Sequence, residues 1–94
     1  MASSNNTIDS FIAWVTPIAV NTSSTLLLET NRARVRYVVQ NTDGIVYLKL
    51  GYDCSPMSFT YRLTPNMVLE DFFQGPITAC TAGQTGICLV TEEV

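Results

Sequence analysis

Ninety-four residues fall within the size of one domain and leave room for one modest core. Only 14% of them are charged and 47% are hydrophobic, with a net charge of −3; ordinary soluble domains carry about 25% charged residues. Much of the surface must therefore be uncharged, as expected of a subunit that works in contact with others. The acidic balance, with a pI near 4.5, excludes a tight hold on phosphate backbones, which needs many Lys and Arg contacts, so nucleic acid is not an expected partner.

The chain opens with Met1-Ala-Ser-Ser-Asn-Asn-Thr7, which has no basic residue and no apolar run of signal-peptide length. No later stretch approaches the ~18 apolar residues of a membrane span. Synthesis in a cytosol, with no membrane partner, is the expectation. Residues 1–12 are rich in Ser, Asn and Thr and then turn apolar at Ile8, Phe11 and Ile12. They read as a flexible arm for gripping neighbours, leading into a single domain over residues 13–94.

From Ala13 onward, short β-branched and aromatic runs are separated by Gly, Pro, Asn, Asp and Ser at spacings of roughly ten residues, the pattern of a sandwich or barrel. Runs at 14–20 and 25–29 come first. In Arg34–Gln40, Val35, Tyr37 and Val39 alternate with Arg34, Arg36, Val38 and Gln40, which predicts a strand with one core face and one partly wet face. Asn41-Thr42-Asp43-Gly44 supplies the Asp-Gly turn signal. The strand resumes at Ile45–Leu50, with Val46, Leu48 and Leu50 inward, so residues 34–50 are expected to form a β-hairpin.

Phe59, Tyr61 and Leu63 alternate with polar residues over 57–63, and Thr64-Pro65-Asn66 is a turn signal. A strand over 67–73 follows, then runs at 77–80 and 87–92. About eight strands result, an all-β antiparallel sandwich or barrel of jelly-roll-like type.

The candidates for chemistry are few. The chain has no histidine, and Cys54, Cys80 and Cys88 have no CxxC spacing, so neither a metal site nor thiol–imidazole chemistry is expected. Cys80 and Cys88 flank Ala82-Gly83-Gln84-Thr85-Gly86, which would set them across a hairpin. A disulfide there is open to the geometry, while the cytosolic reading favours reduced, buried thiols. Glu70 and Asp71 are adjacent, so in a strand they point to opposite faces and cannot act as an acid/base pair. No catalytic residue, cofactor or small-molecule substrate is expected.

Arg32, Arg34 and Arg36 at period two would project from one face of an extended segment as a basic stripe. Such a stripe either meets an acidic patch on a partner or protects a sheet edge. The arm residues Ile8, Phe11 and Ile12, together with Trp14 and this stripe, are the expected contact residues. Trp14, Tyr47 and Tyr52 are the aromatics left for the surface, and a sugar-stacking role for them is the alternative.

Three groups of residues carry a resemblance. Asn31-Arg32 precedes the Gln40-Asn41-Thr42-Asp43-Gly44 turn and the Val46-Tyr47-Leu48-Lys49-Leu50-Gly51 strand. Phe59-Thr60-Tyr61-Arg62-Leu63-Thr64-Pro65-Asn66 forms the second group. Gly75-Pro76-Ile77-Thr78-Ala79, with Thr85-Gly86 and Val90-Thr91-Glu92, forms the third. Together, from Asn31 to Glu92, they resemble small β-sandwich virion proteins of tailed bacteriophages. Cys54-Ser55-Pro56, Phe72-Phe73-Gln74 and the later cysteines depart from that pattern.

The resemblance implies a capsid decoration (cement) subunit, a homotrimer made in the host cytoplasm and carried on the virion. Its partner would be the major capsid protein or another virion protein. The alternative it implies is a receptor- or carbohydrate-binding module of a head fibre or tail appendage.

Overall fold

The computed structural model describes residues 13–94, with side chains from Val15 onward. The described residues form eight strands and no helix: β1 (Ala13–Val20), β2 (Thr25–Leu28), β3 (Arg36–Asp43), β4 (Val46–Leu50), β5 (Tyr61–Leu63), β6 (Val68–Asp71), β7 (Ile77–Cys80) and β8 (Gly86–Glu93). They build two four-stranded antiparallel sheets, β1-β8-β3-β6 and β2-β7-β4-β5. The first strand pairs with the last, the second with the seventh, the third with the sixth and the fourth with the fifth. The chain is thus folded in half and rolled across two sheets, the order of a jelly roll.

The period-two pattern fixes which side chains meet between the sheets. Tyr37, Val39 and Asn41 of β3 and Cys88 and Val90 of β8 point inward from the first sheet. Val46, Leu48, Leu63, Ile77 and Ala79 face them from the second, all at most 2% exposed. The inward assignments of Val46 and Leu48 hold, and Leu50 is half-buried.

Three expectations are corrected. Residues 34–50 do not form a hairpin, because β3 and β4 belong to different sheets. Each strand has only two hydrogen-bonding edges; those of β3 are taken by β8 and β6, those of β4 by β7 and β5. The two residues Gly44-Ile45 instead carry the chain across the sandwich, with Gly44 at φ +74°. The buried Asn41 amide holds this corner, donating to the Gly44 and Leu63 carbonyls at 2.7 and 2.9 Å, while its Oδ1 accepts from the Asp43 N–H at 3.1 Å. The 81–85 segment crosses between sheets in the same way, so Cys80 and Cys88 do not face each other across a hairpin.

Val35 and Phe59, expected inward, are exposed. Val35 precedes β3 and the interior place next to Tyr37 goes to Arg34; Phe59 lies in the long 51–60 connection, packed edge-on against Tyr47 with ring centroids 4.8 Å apart. The Thr64–Asn66 turn forms as read: Asn66 takes φ +72° after Pro65, and the Met67 N–H donates to the Thr64 carbonyl at 3.1 Å.

Candidate functional site: the open face of the first sheet

The two sheets treat their outer faces differently. On the second sheet, the 51–60 connection folds back over the outside. The Cys54 N–H donates to Ser24 Oγ at 3.0 Å, its Sγ donates to the Tyr47 carbonyl at 3.3 Å, and Lys49 Nζ donates to Ser58 Oγ at 2.8 Å. Ser55 and Ser58 exchange backbone hydrogen bonds of 3.0 and 2.9 Å that close a turn around Pro56-Met57. With the core on one side and this cover on the other, β7 is buried along its whole length.

The first sheet carries no such cover among the described residues. Its register aligns Val15, Thr91, Val38 and Glu70 in one outward row and Pro17, Leu89, Gln40 and Val68 in the next, with Ala19 beside Ile87 beyond them. Val15 is 62% exposed, Val68 57% and Ile87 42%. An antiparallel sheet with one solvated face ordinarily presents polar residues there. Here the outward rows are mostly aliphatic, and a contiguous exposed apolar surface of this kind marks a protein-contact site. Pro17 sits in the middle of β1, an edge strand among the described residues, where it removes a backbone donor and discourages strand addition. The geometry favours contact through the face of the sheet over contact through its edge.

The three arginines are not a stripe. Arg34 is 1% exposed. Its guanidinium donates to Glu92 Oε2 at 2.9 Å, to the carbonyls of Phe73 and Gly75 at 2.8 and 3.0 Å, and to that of Glu29 at 2.6 Å. It ties three segments together and has no free surface to offer a partner. Arg36 pairs with Glu93 at 2.8 Å and with Glu70, which places an ion-pair cluster at one end of the open face. The hydrogen bond to Arg36 holds the Glu93 carboxyl below its ordinary range. Arg32 alone is exposed. The interior end of β3 is covered by this buried arginine because its planar fork satisfies several acceptors at once.

Ile8, Phe11 and Ile12 lie outside the described residues, as does the side chain of Trp14, whose backbone pairs with Glu92. Tyr47 is half-buried against Phe59, while Tyr52 is 53% exposed and donates its hydroxyl to Glu29 Oε1 at 2.5 Å. That hydrogen bond lowers the Glu29 pKa and raises that of Tyr52. Tyr47 also lines a pocket of about 150 Å³ with Ile45, Ala82 and Gln84, smaller than the ~300–1,000 Å³ typical of small-molecule sites. Trp14 belongs to the other sheet, so the three aromatics do not share one sheet.

The open face escaped the sequence reading, yet a signal for it was present. Val38-Val39 in β3 and Ile87-Cys88-Leu89-Val90 in β8 are apolar at consecutive positions, which in a strand means apolar residues on both faces. Compared with known proteins, the chain matches no family model, no curated protein and no solved structure.

Proposed function

We propose that the chain is a structural subunit that binds protein surfaces through the open face of its first sheet. The surface it fits best is that of a tailed-phage head, which it decorates as a cement protein. The observation that carries this reading is the aliphatic outward surface built by Val15, Val68, Ile87 and their neighbours, left uncovered by the described residues while the opposite sheet is shielded by the 51–60 connection. Jelly rolls serve as capsid and lectin domains, the charge content is low, and the resemblance of residues 31–92 to small virion proteins points the same way. In this reading the protein is made in the host cytoplasm and functions on the virion as a trimer.

A face of this kind, extended by neighbouring loops, supplies part of the roughly 800 Å² per partner that a stable contact buries. Repetition over a shell makes release improbable even where each contact is weak. The test is sedimentation of tagged protein expressed in cells producing the phage that carries its gene. The tag is expected in the fraction holding assembled heads; a tag confined to free protein and absent from purified particles overturns the reading.

A second reading rests on Tyr52, whose exposed ring is braced through its hydroxyl by Glu29 beside the 51–60 connection. An exposed, oriented aromatic ring suits sugar stacking, and the alternative is a receptor-binding module. Glycan-array binding by the purified protein, abolished in Tyr52→Ala and retained in a Val68→Lys variant, would favour this reading over the cement reading.

A further inference from the structure

Cys54 and Cys80 meet between the second sheet and its cover. Cys80 is held in β7, where the register pairs it with Tyr47 on the outward side of the sheet; Cys54 comes from the 51–60 connection laid over it. Both are buried, and the Cys80 and Cys54 sulfurs are 3.5 Å apart and share a hydrogen bond. Cys88 lies in the core between the sheets, on the inward face of β8.

We propose that Cys54 and Cys80 are a cross-linking site, oxidised to an intramolecular disulfide that pins the 51–60 connection onto β7 once the protein leaves a reducing compartment. The bond needs the sulfurs to close to about 2.05 Å. Cys54 can supply that movement because it lies outside the regular strands, whereas Cys80 pairs with Tyr47 from within β7, a strand flanked by β2 and β4.

The oxidant is a low-molecular-weight disulfide. When the cover opens, the Cys54 thiol loses its proton to solvent and its sulfur attacks one sulfur of the oxidant, whose other half leaves as a thiolate and takes up a proton. Cys80, likewise deprotonated, then attacks the Cys54 sulfur of the mixed disulfide and displaces the second half, which is protonated in turn. Two protein thiols are oxidised by two electrons, and one small disulfide is reduced to two thiols. Burial pushes the Cys54 thiol up to about 12. The thiolate is therefore scarce while the cover is closed, and the rate follows opening of the 51–60 connection.

The experiment equilibrates the full chain with oxidised glutathione, with and without mild denaturant to open the cover, then alkylates it under fully unfolding conditions and maps the cross-link by mass spectrometry. A Cys54–Cys80 link, one alkylated thiol in place of three, and a Tm higher by roughly 10 °C without reductant are expected. The link persists in Cys88→Ala and is lost in Cys80→Ala, which instead stops at the mixed disulfide with glutathione. Three alkylated thiols under both conditions, or a link that includes Cys88, overturns the proposal.

Discussion

The Arg34 guanidinium, 1% exposed, donates to Glu92 Oε2 at 2.9 Å across 58 positions of sequence. It joins the connection before β3 to β8, the last strand in the chain. Removing the fully buried partner of this hydrogen-bonded ion pair leaves three carbonyls without the guanidinium and Glu92 Oε2 with only the Asn31 amide at 3.3 Å. Arg34→Ala is therefore expected to cost about 3–5 kcal/mol. Lysine cannot reproduce the planar fork, so Arg34→Lys recovers only part of that. Arg32→Ala, at an exposed position, stays within about 0.5 kcal/mol of the parent. Urea unfolding midpoints of the three variants check this, and equal losses at Arg32 and Arg34 would show that the buried network contributes nothing special.

The corner glycines carry a second expectation. A Cβ on Gly86 would lie 2.9 Å from the Asp43 carbonyl oxygen and 2.9 Å from Val46 Cγ2, inside the point where β3 passes the chain to the opposite sheet. Gly86→Ala should destabilise by about 1–3 kcal/mol through overpacking. Gly83 has φ +142° but nothing within 4 Å of an added Cβ, so Gly83→Ala is expected to cost only its backbone strain. Thermal unfolding of the pair separates crowding from strain.

How much of this was legible follows from which interactions are local. Alternation placed Val46, Leu48, Tyr37 and Val39 on the core side because period two is a property of the strand itself. The Asp43-Gly44 signal located a turn but not the destination of the chain beyond it, since a hairpin and a crossing between sheets use the same positive-φ residue. That choice is made by which strand edges are already occupied, a relation between β3 and β8 that no local pattern contains. Arg34 was misplaced for a similar reason. Its partners Glu92, Phe73 and Gly75 are brought to it only by the closed sandwich, and an arginine at period two with two others reads as surface.

The open face shows the opposite case. Its signal, consecutive apolar residues at Val38-Val39 and Ile87–Val90, lay in the sequence, but a reading that assigns each strand one wet face passes over it.

Burial also predicts an alkaline limit. The Cys88 thiol, enclosed in the core, is pushed from its ordinary 9.0 up to about 11. Between about pH 9 and 11 the unfolded chain has released this proton while the folded protein still holds it. Stability is then full below about pH 9 and falls as pH rises through that window. Urea midpoints followed from pH 7 to 11 should show this decline, and Cys88→Ala, though less stable throughout, should show a shallower one. An identical slope in the variant would place the titrating group elsewhere.

The proposed function has the outward aliphatic rows of the first sheet hold the protein on its partner. Its most direct test compares Val68→Lys/Ile87→Lys with Met57→Lys, a change at a 94% exposed residue on the cover of the opposite sheet. All three positions are exposed, so every variant should unfold within about 1 kcal/mol of the parent. Co-sedimentation with assembled phage heads should be lost in the double variant and kept in Met57→Lys. A folded double variant that sediments with heads as fully as the parent would show that these rows do not hold the protein on the head.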